Sequence, residues 1–127
     1  MMYKEAKEMN EQLLAWRRQI HHHPELGCRL PQTTALVEKA LDDMGISWEK
    51  IGPCAIVGVI GKKEGKKILL RADMDALPMG EETGLPFASE CDGVMHSCGH
   101  DCHTSMLLTA AALLKKHEEE LQGQVIL

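Results

Sequence analysis

Apolar residues recur at helical spacing along the first third of the chain. The first stripe falls on Met9, Leu13, Trp16 and Ile20 and predicts one amphipathic helix over the first twenty or so residues. A second helix is predicted from Pro31 to about Met44. Proline is favoured in a first turn and a glycine follows as a C-terminal stop.

A third helix is predicted over TSMLLTAAALLKKHEEE, with Asp101 as its N-cap. Its residues are apolar almost all round between Met106 and Leu114. That pattern predicts a buried helix.

Apolar, β-branched runs predict the strands. CAIVGVI and KILL each predict a buried strand, and the charged turn GKKEGKK between them predicts a hairpin. The final GQVIL predicts another strand inside the sheet, which becomes an open apolar edge if the chain stands alone. Residues 79–95 predict an irregular surface connection. Together these elements predict an α/β fold with a mixed sheet flanked by helices.

Charge and composition argue against several kinds of partner. The 127 residues carry a net charge of −5 and are 44% hydrophobic, enough for one modest core without the basic face that nucleic acids require. No apolar run approaches the roughly 20 residues that cross a bilayer, and the polar N-terminus has no signal segment. We therefore expect no nucleic acid, no membrane and a cytoplasmic location.

The segment HSCGHDCH, residues 96–103, concentrates histidine and cysteine. Five cysteines without a secretory signal make a disulfide framework unexpected, whereas reduced thiols can bind metal. From the residues alone three interpretations stay open. They are a divalent metal site on Cys98 and His100, a redox pair of Cys98 and Cys102, and an incidental polar loop.

The segment LRADMDALP carries two carboxylates at the end of an apolar run. In an extended strand Asp73 and Asp75 would share one face with Arg71. Burying two unpaired carboxylates is costly, and a bound cation would remove that cost. The alternative is a local salt-bridged cap made with Arg71.

Other charged and histidine-rich segments are expected to be structural. Of His21, His22 and His23, one is expected to pack and two to be solvated. The adjacent glutamates at 81–82 and 118–120 are expected to be solvated charge.

Three stretches together resemble one enzyme family. RRQIHHHPELG (17–27), LRADMDALP (70–78) and MHSCGHDCHTSMLL (95–108) are similar, in order and spacing, to the N-terminal part of the M20 metallopeptidases. The subgroup most similar is the N-acyl-amino-acid amidohydrolases, such as hippurate hydrolases and N-acetyldiaminopimelate deacetylases. The resemblance implies that residues 1–127 form the N-terminal portion of a zinc-exopeptidase-like catalytic domain, without its remainder and its lid domain.

The resemblance also implies a reaction and roles for residues. Family members hydrolyse the amide of small N-acyl amino acids or dipeptide-like substrates with two divalent ions, which can be Mn, Zn, Co or Ni. At matching positions Cys98 and His100 would be metal ligands, and Asp75 would be the carboxylate that orients a ligand. Asp73, the second expected catalytic residue, stands where other branches carry a metal-binding histidine.

The resemblance implies an incomplete site. His103 and Asp101 would support the ligands from outside the coordination sphere. The family's Glu-Glu pair and two later histidines have no counterpart before Leu127. This chain alone is therefore expected to be inactive. The alternatives are a non-catalytic metal-binding or redox module, and a truncated product that acts only through self-association as a homo-oligomer.

Overall fold

A four-stranded sheet and its packed helices make up the computed structural model, which describes residues 2–62 and 64–127. The predicted helical Met1 and the predicted turn residue Lys63 lie outside these residues. The helices are α1 (Met2–Glu8), α2 (Asn10–His22), α3 (Pro31–Asp43) and α4 (His100–Lys116), followed by a short 3-10 helix at Glu118–Glu120. The strands are β1 (Ser47–Ile51), β2 (Ala55–Gly61), β3 (Lys66–Leu69) and β4 (Gly123–Ile126).

The sheet is mixed, with the strand order β1-β2-β4-β3. Strands β1 and β2 pair antiparallel, as do β2 and β4, whereas β3 and β4 pair parallel. A parallel pair needs a crossover connection, and here residues 70–122, including α4, make it. The predicted α/β fold with a mixed sheet is confirmed.

The predicted hairpin between CAIVGVI and KILL is wrong. Strand β4 lies between β2 and β3, so these two sequence neighbours do not pair. The hairpin is instead β1–β2, in which Ser47 lies opposite Val59. Strand β1 was not predicted because its SWEKI sequence is mostly exposed and lacks an apolar run.

The expected burial of KILL is also wrong. Strand β3 forms one edge of the described sheet, and Ile68 and Leu69 are 55% and 67% exposed. Strand β4 lies inside the sheet as predicted, with Val125 buried, and is not the open edge expected of a chain that stands alone. The exposed apolar edge is therefore β3.

The N-terminal helical segment is two helices rather than one. Helices α1 and α2 meet at Met9, whose N–H contacts the carbonyls of both Glu5 and Ala6. Helix α3 ends as predicted just before Gly45, which has a left-handed φ of 66°.

Helix α4 starts one residue before its predicted N-cap. The N-cap is Gly99, with φ 94°, and Asp101 lies buried inside the first turn. Met106 is 52% exposed, so the expected all-round burial is also wrong. Elsewhere the helix packs, and Leu108 and Ala111 are buried.

The core forms where α3 and α4 pack on β2. Its buried apolar residues come from these elements and from the residue before β1: Val37, Ala40, Leu41, Ile46, Ile60, Leu108 and Ala111. Packing of α4 on the sheet places the start of this helix beside the segment that leaves β3.

Candidate metal centre

The segment that follows β3 and the start of α4 are joined by hydrogen bonds to two backbone carbonyls. The Thr104 hydroxyl donates to the backbone carbonyl of Asp73 at 3.0 Å. His100, the first residue of α4, lies with Nδ1 2.8 Å from the backbone carbonyl of Asp75. Two of the three quoted motifs are thereby brought together.

Asp75 orients the His100 ring. Nδ1 of His100 is 2.8 Å from the Asp75 carbonyl and 3.1 Å from its Oδ1, and both oxygens are acceptors. A proton on Nδ1 leaves Nε2 with its lone pair, the state in which an imidazole binds a metal ion. The His100 side chain is 18% exposed, so its position is largely determined by packing.

Cys98 lies on the exposed turn that leads into α4. Gly99 between Cys98 and His100 has φ 94°, a conformation that L side chains rarely adopt. All five cysteines are free thiols: Cys28, Cys54, Cys91, Cys98 and Cys102. An exposed thiol two residues before an oriented imidazole offers donor types that suit zinc or cobalt. Metal binding by Cys98 and His100 stays a prediction.

Asp73 and Asp75 have different partners. Strand β3 ends at Leu69, so the expected strand that aligns both carboxylates with Arg71 is not formed. Arg71 donates to Asp73 Oδ1 at 2.5 Å in an exposed pair, whereas Asp75 contacts His100. The alternative of a salt-bridged cap therefore describes Asp73 alone.

The two residues expected to support the ligands differ in surroundings. His103 is exposed, and its ring centroid lies 5.8 Å from that of His100. Asp101 is 1% exposed and accepts from Arg17 Nε at 2.8 Å, while His21 Nδ1 lies 2.7 Å away. The supporting roles of His103 and Asp101 stay predictions.

A buried charged network links α2, the 79–95 connection and α4. His21 lies between two carboxylates, with Nδ1 2.7 Å from Asp101 and Nε2 2.9 Å from Glu81. Burial raises the pKa of Asp101. Hydrogen bonds from His21 and the Cys102 N–H, and the charge of Arg17, outweigh burial and hold the pKa below its usual range.

The expectation that Glu81 is solvated charge is wrong. Its side chain is 2% exposed. Burial raises the pKa of Glu81, but hydrogen bonds from Thr83, His21 and the Ser89 N–H outweigh burial and lower the pKa to about 2. Glu81 thus anchors the irregular connection that follows the Asp75 segment.

Sequence reasoning missed this network because its members are far apart in the chain. Arg17 and His21 lie 84 and 80 positions from Asp101. One local signal existed, since Arg17 and His21 are four residues apart and therefore share a helix face. That signal identifies a polar patch on α2 without identifying its partners.

His96 is buried beside the network. It is 5% exposed, and its ring centroid lies 6.3 Å from that of His21. Burial is the main cause that lowers the pKa of its imidazole. Neither ring nitrogen has a hydrogen-bond partner among the described residues.

The other two histidines of the triplet are partly exposed and are also held by a carboxylate. His22 and His23 are half-buried and contact Glu90, while His21 packs as expected of one member. Among the described residues, one group of three ligand atoms lies within 4.8 Å, and it is formed by His22, His23 and Glu90.

An apolar groove of about 540 Å³ borders Asp73 and Asp75. Its walls include core residues of α3 and α4 and the chain that leaves β3, among them Val37, Leu69 and Leu108.

Within residues 2–62 and 64–127 no helix has the length and apolarity that crossing a membrane requires.

Comparisons with known proteins agree with these motifs. The family model described as peptidase family M20/M25/M40 matches residues 69–127, which contain both Asp75 and the Cys98–His100 turn. The chain belongs to the M20 peptidase family. It corresponds to the N-terminal part of the family's members. This M20 chain is 45% identical, over 122 residues, to an N-acetyl-L-cysteine deacetylase of Bacillus subtilis; the match covers 92% of the chain and 29% of the relative.

Two further relatives support the same placement. An IAA-amino acid hydrolase of Arabidopsis thaliana is 49% identical over 112 residues, covering 87% of this M20 chain and 26% of the relative. A solved Bacillus subtilis structure, described as a dinuclear metal-binding peptidase from the M20 family, superposes with a TM-score of 0.89 at 39% identity. That match covers 94% of the M20 chain and 35% of the solved one. The M20 chain thus spans about a third of the length of the proteins it matches.

Proposed function

We propose that this chain supplies part of the metal centre of an amidohydrolase that cleaves the amide bond of N-acylated amino acids. Its domain assignment, residues 1–127 as the N-terminal portion of a catalytic domain, is part of the same proposal. The observation that carries it is the contact of His100 Nδ1 with Asp75, at 2.8 Å and 3.1 Å from its two oxygens.

In this proposal Cys98 and His100 bind divalent metal, Mn, Zn, Co or Ni, through the thiolate and Nε2. Asp75 keeps the His100 proton on Nδ1, and Asp73 is the second carboxylate of the centre. His103 and Asp101 support it from the first turn of α4. Two ions, when bound, would activate a water molecule and polarise the scissile carbonyl.

The chain alone has too few ligands for turnover. Two protein ligands do not close a coordination shell, and a barrier lowered by 8 kcal/mol or more needs a complete site. We therefore propose that the described chain binds metal weakly and does not hydrolyse substrate. A cytoplasmic location without nucleic acid or membrane partners completes the proposal, supported by the acidic composition and five free thiols.

A chimera tests the proposal. This chain replaces the matching N-terminal part of the Bacillus subtilis N-acetyl-L-cysteine deacetylase, to which it is 45% identical. We expect the chimera to release acetate from N-acetylcysteine, with EDTA stopping the reaction. Cys98→Ala and His100→Ala should each lose at least 100-fold in kcat/KM, on the order of what removing one strong catalytic interaction costs.

The matched control is Cys91→Ala, which removes a thiol from the neighbouring connection and should leave kcat/KM unchanged. Folding of every variant is checked by circular dichroism. Full activity of folded Cys98→Ala and His100→Ala chimeras, or activity that survives EDTA, would contradict the proposal. Robust hydrolysis by the chain alone would contradict its inactivity.

A further inference from the structure

A second group of metal-binding side chains lies away from Cys98 and His100. His22 is the last residue of α2, His23 is its C-cap, and Glu90 belongs to the 79–95 connection. One ligand atom from each lies within 4.8 Å of the others. The side chains are 40%, 31% and 51% exposed, so the group lies near the surface of the molecule.

The His22 ring is held in the tautomer that binds metal. Its Nδ1 donates to the backbone carbonyl of Ala88 at 2.6 Å, which leaves the lone pair on Nε2. Nε2 lies 3.5 Å from Glu90 Oε2. Two ligands of a tetrahedral zinc ion, each about 2.0–2.1 Å from the metal, are separated by about 3.4 Å. The observed spacing therefore suits a shared ion.

His23 adds a second nitrogen on the same side of Glu90. Its Nδ1 contacts Glu90 Oε1, is inaccessible to solvent and makes no hydrogen bond of acceptable geometry. The Glu90 N–H donates to the His22 carbonyl at 3.0 Å, which fixes the connection against the end of α2. The partial negative charge at a helix C-terminus also favours a cation there.

We propose that His22, His23 and Glu90 form a divalent-cation site for zinc-class ions, with a fourth position open to water. Two imidazoles and one carboxylate favour Zn²⁺, Co²⁺ or Ni²⁺ over Mg²⁺ and Ca²⁺, which prefer oxygen ligands. The ion ties the end of α2 to the 79–95 connection. This proposal does not depend on the function proposed for Cys98 and His100.

Cobalt titration of the purified chain tests the site. A Cys98→Ala/His100→Ala background removes the proposed catalytic ligands. We expect this variant to bind one equivalent of Co²⁺, with d–d absorption and no thiolate-to-metal charge-transfer band. Adding His23→Gln or Glu90→Gln should weaken Co²⁺ binding at least about tenfold. Removing even a residue that only supports a metal ligand costs about 10–100-fold in affinity, and these two residues are proposed as ligands themselves.

The matched control is His117→Gln in the same background. His117 also contacts carboxylates, those of Glu5 and Glu120, but among the described residues it is not part of a group of three metal-binding side chains. This variant should bind Co²⁺ with unchanged affinity, and circular dichroism checks that each variant is folded. No Co²⁺ binding by the background variant, unchanged affinity in both His23→Gln and Glu90→Gln, or a thiolate band would overturn the proposal.

Discussion

At the scale of single residues, the chemistry of this chain depends on how each histidine is held. His100 has Nδ1 on Asp75, His22 has Nδ1 on Ala88, and His21 has both nitrogens on carboxylates. The first two arrangements leave Nε2 free to bind a metal ion, whereas both ring nitrogens of His21 are occupied by carboxylates. In the two proposals above, the same residue type therefore binds metal in two places, whereas in a third it holds the fold together.

Glu81→Gln should destabilise the fold. The substitution leaves His21 facing a neutral amide inside a buried network, where a lost partner costs about 1–3 kcal/mol. Urea unfolding measures the change, and Glu82→Gln is the matched control because Glu82 is exposed. Equal midpoints for the two variants would contradict the role assigned to Glu81.

Stability should fall in acid because of the same residue. The pKa of Glu81 is lowered from 4.5 to about 2 in the folded chain, so its contribution is present above about pH 4.5 and lost as pH falls towards 2. Asp101, whose pKa is also lowered, acts in the same direction. Unfolding free energies measured across this window should decrease less steeply in Glu81→Gln; an equal slope would contradict the assignment.

At the scale of elements, the sequence predicted individual helices and strands better than it predicted which strands pair. The bounds of α3 and the β-branched run of β2 follow from spacing and turn residues alone. Insertion of β4 between β2 and β3 does not, because the crossover through α4 is set by contacts between distant residues. The Asp75–His100 contact was foreseen only through the family resemblance, while the buried place of Glu81 was missed.

Gly61→Ala should disturb the β2–β4 pairing. Gly61 has φ 92°, and an added Cβ would lie 2.3 Å from the backbone carbonyl of Gly123. Because both strain and clash oppose the substitution, we expect a loss of more than about 1 kcal/mol in unfolding free energy. Gly80→Ala, where an added Cβ meets nothing within 4 Å, should change it by no more than about 0.5 kcal/mol. Comparable losses would contradict the close approach of β2 and β4.

At the scale of the whole molecule, the described sheet presents an apolar edge. Ile68 and Leu69 of β3 are more than half exposed, and an exposed apolar edge strand invites pairing with another chain. The apolar groove beside Asp73 and Asp75 adds to this uncovered surface. Self-association of the chain is therefore expected to involve β3.

Light scattering tests this expectation with one substitution on β3 and a control substitution on α4. Ile68→Lys should shift the chain towards the monomer, because a charge on the edge strand opposes pairing. Met106→Lys changes a similarly exposed apolar residue on α4 and should leave the association unchanged. A parent chain that stays monomeric as its concentration rises, or equal effects of both changes, would contradict the role of β3.

In the proposed metal centre, Asp75 prepares His100 to bind metal together with Cys98. An anomalous difference map of zinc-soaked crystals of the chain tests it most directly. We predict a peak in contact with Cys98 Sγ and His100 Nε2, while His100 Nδ1 stays on Asp75. A map with zinc elsewhere and none at these two atoms, or with His100 bound through Nδ1, would contradict the account.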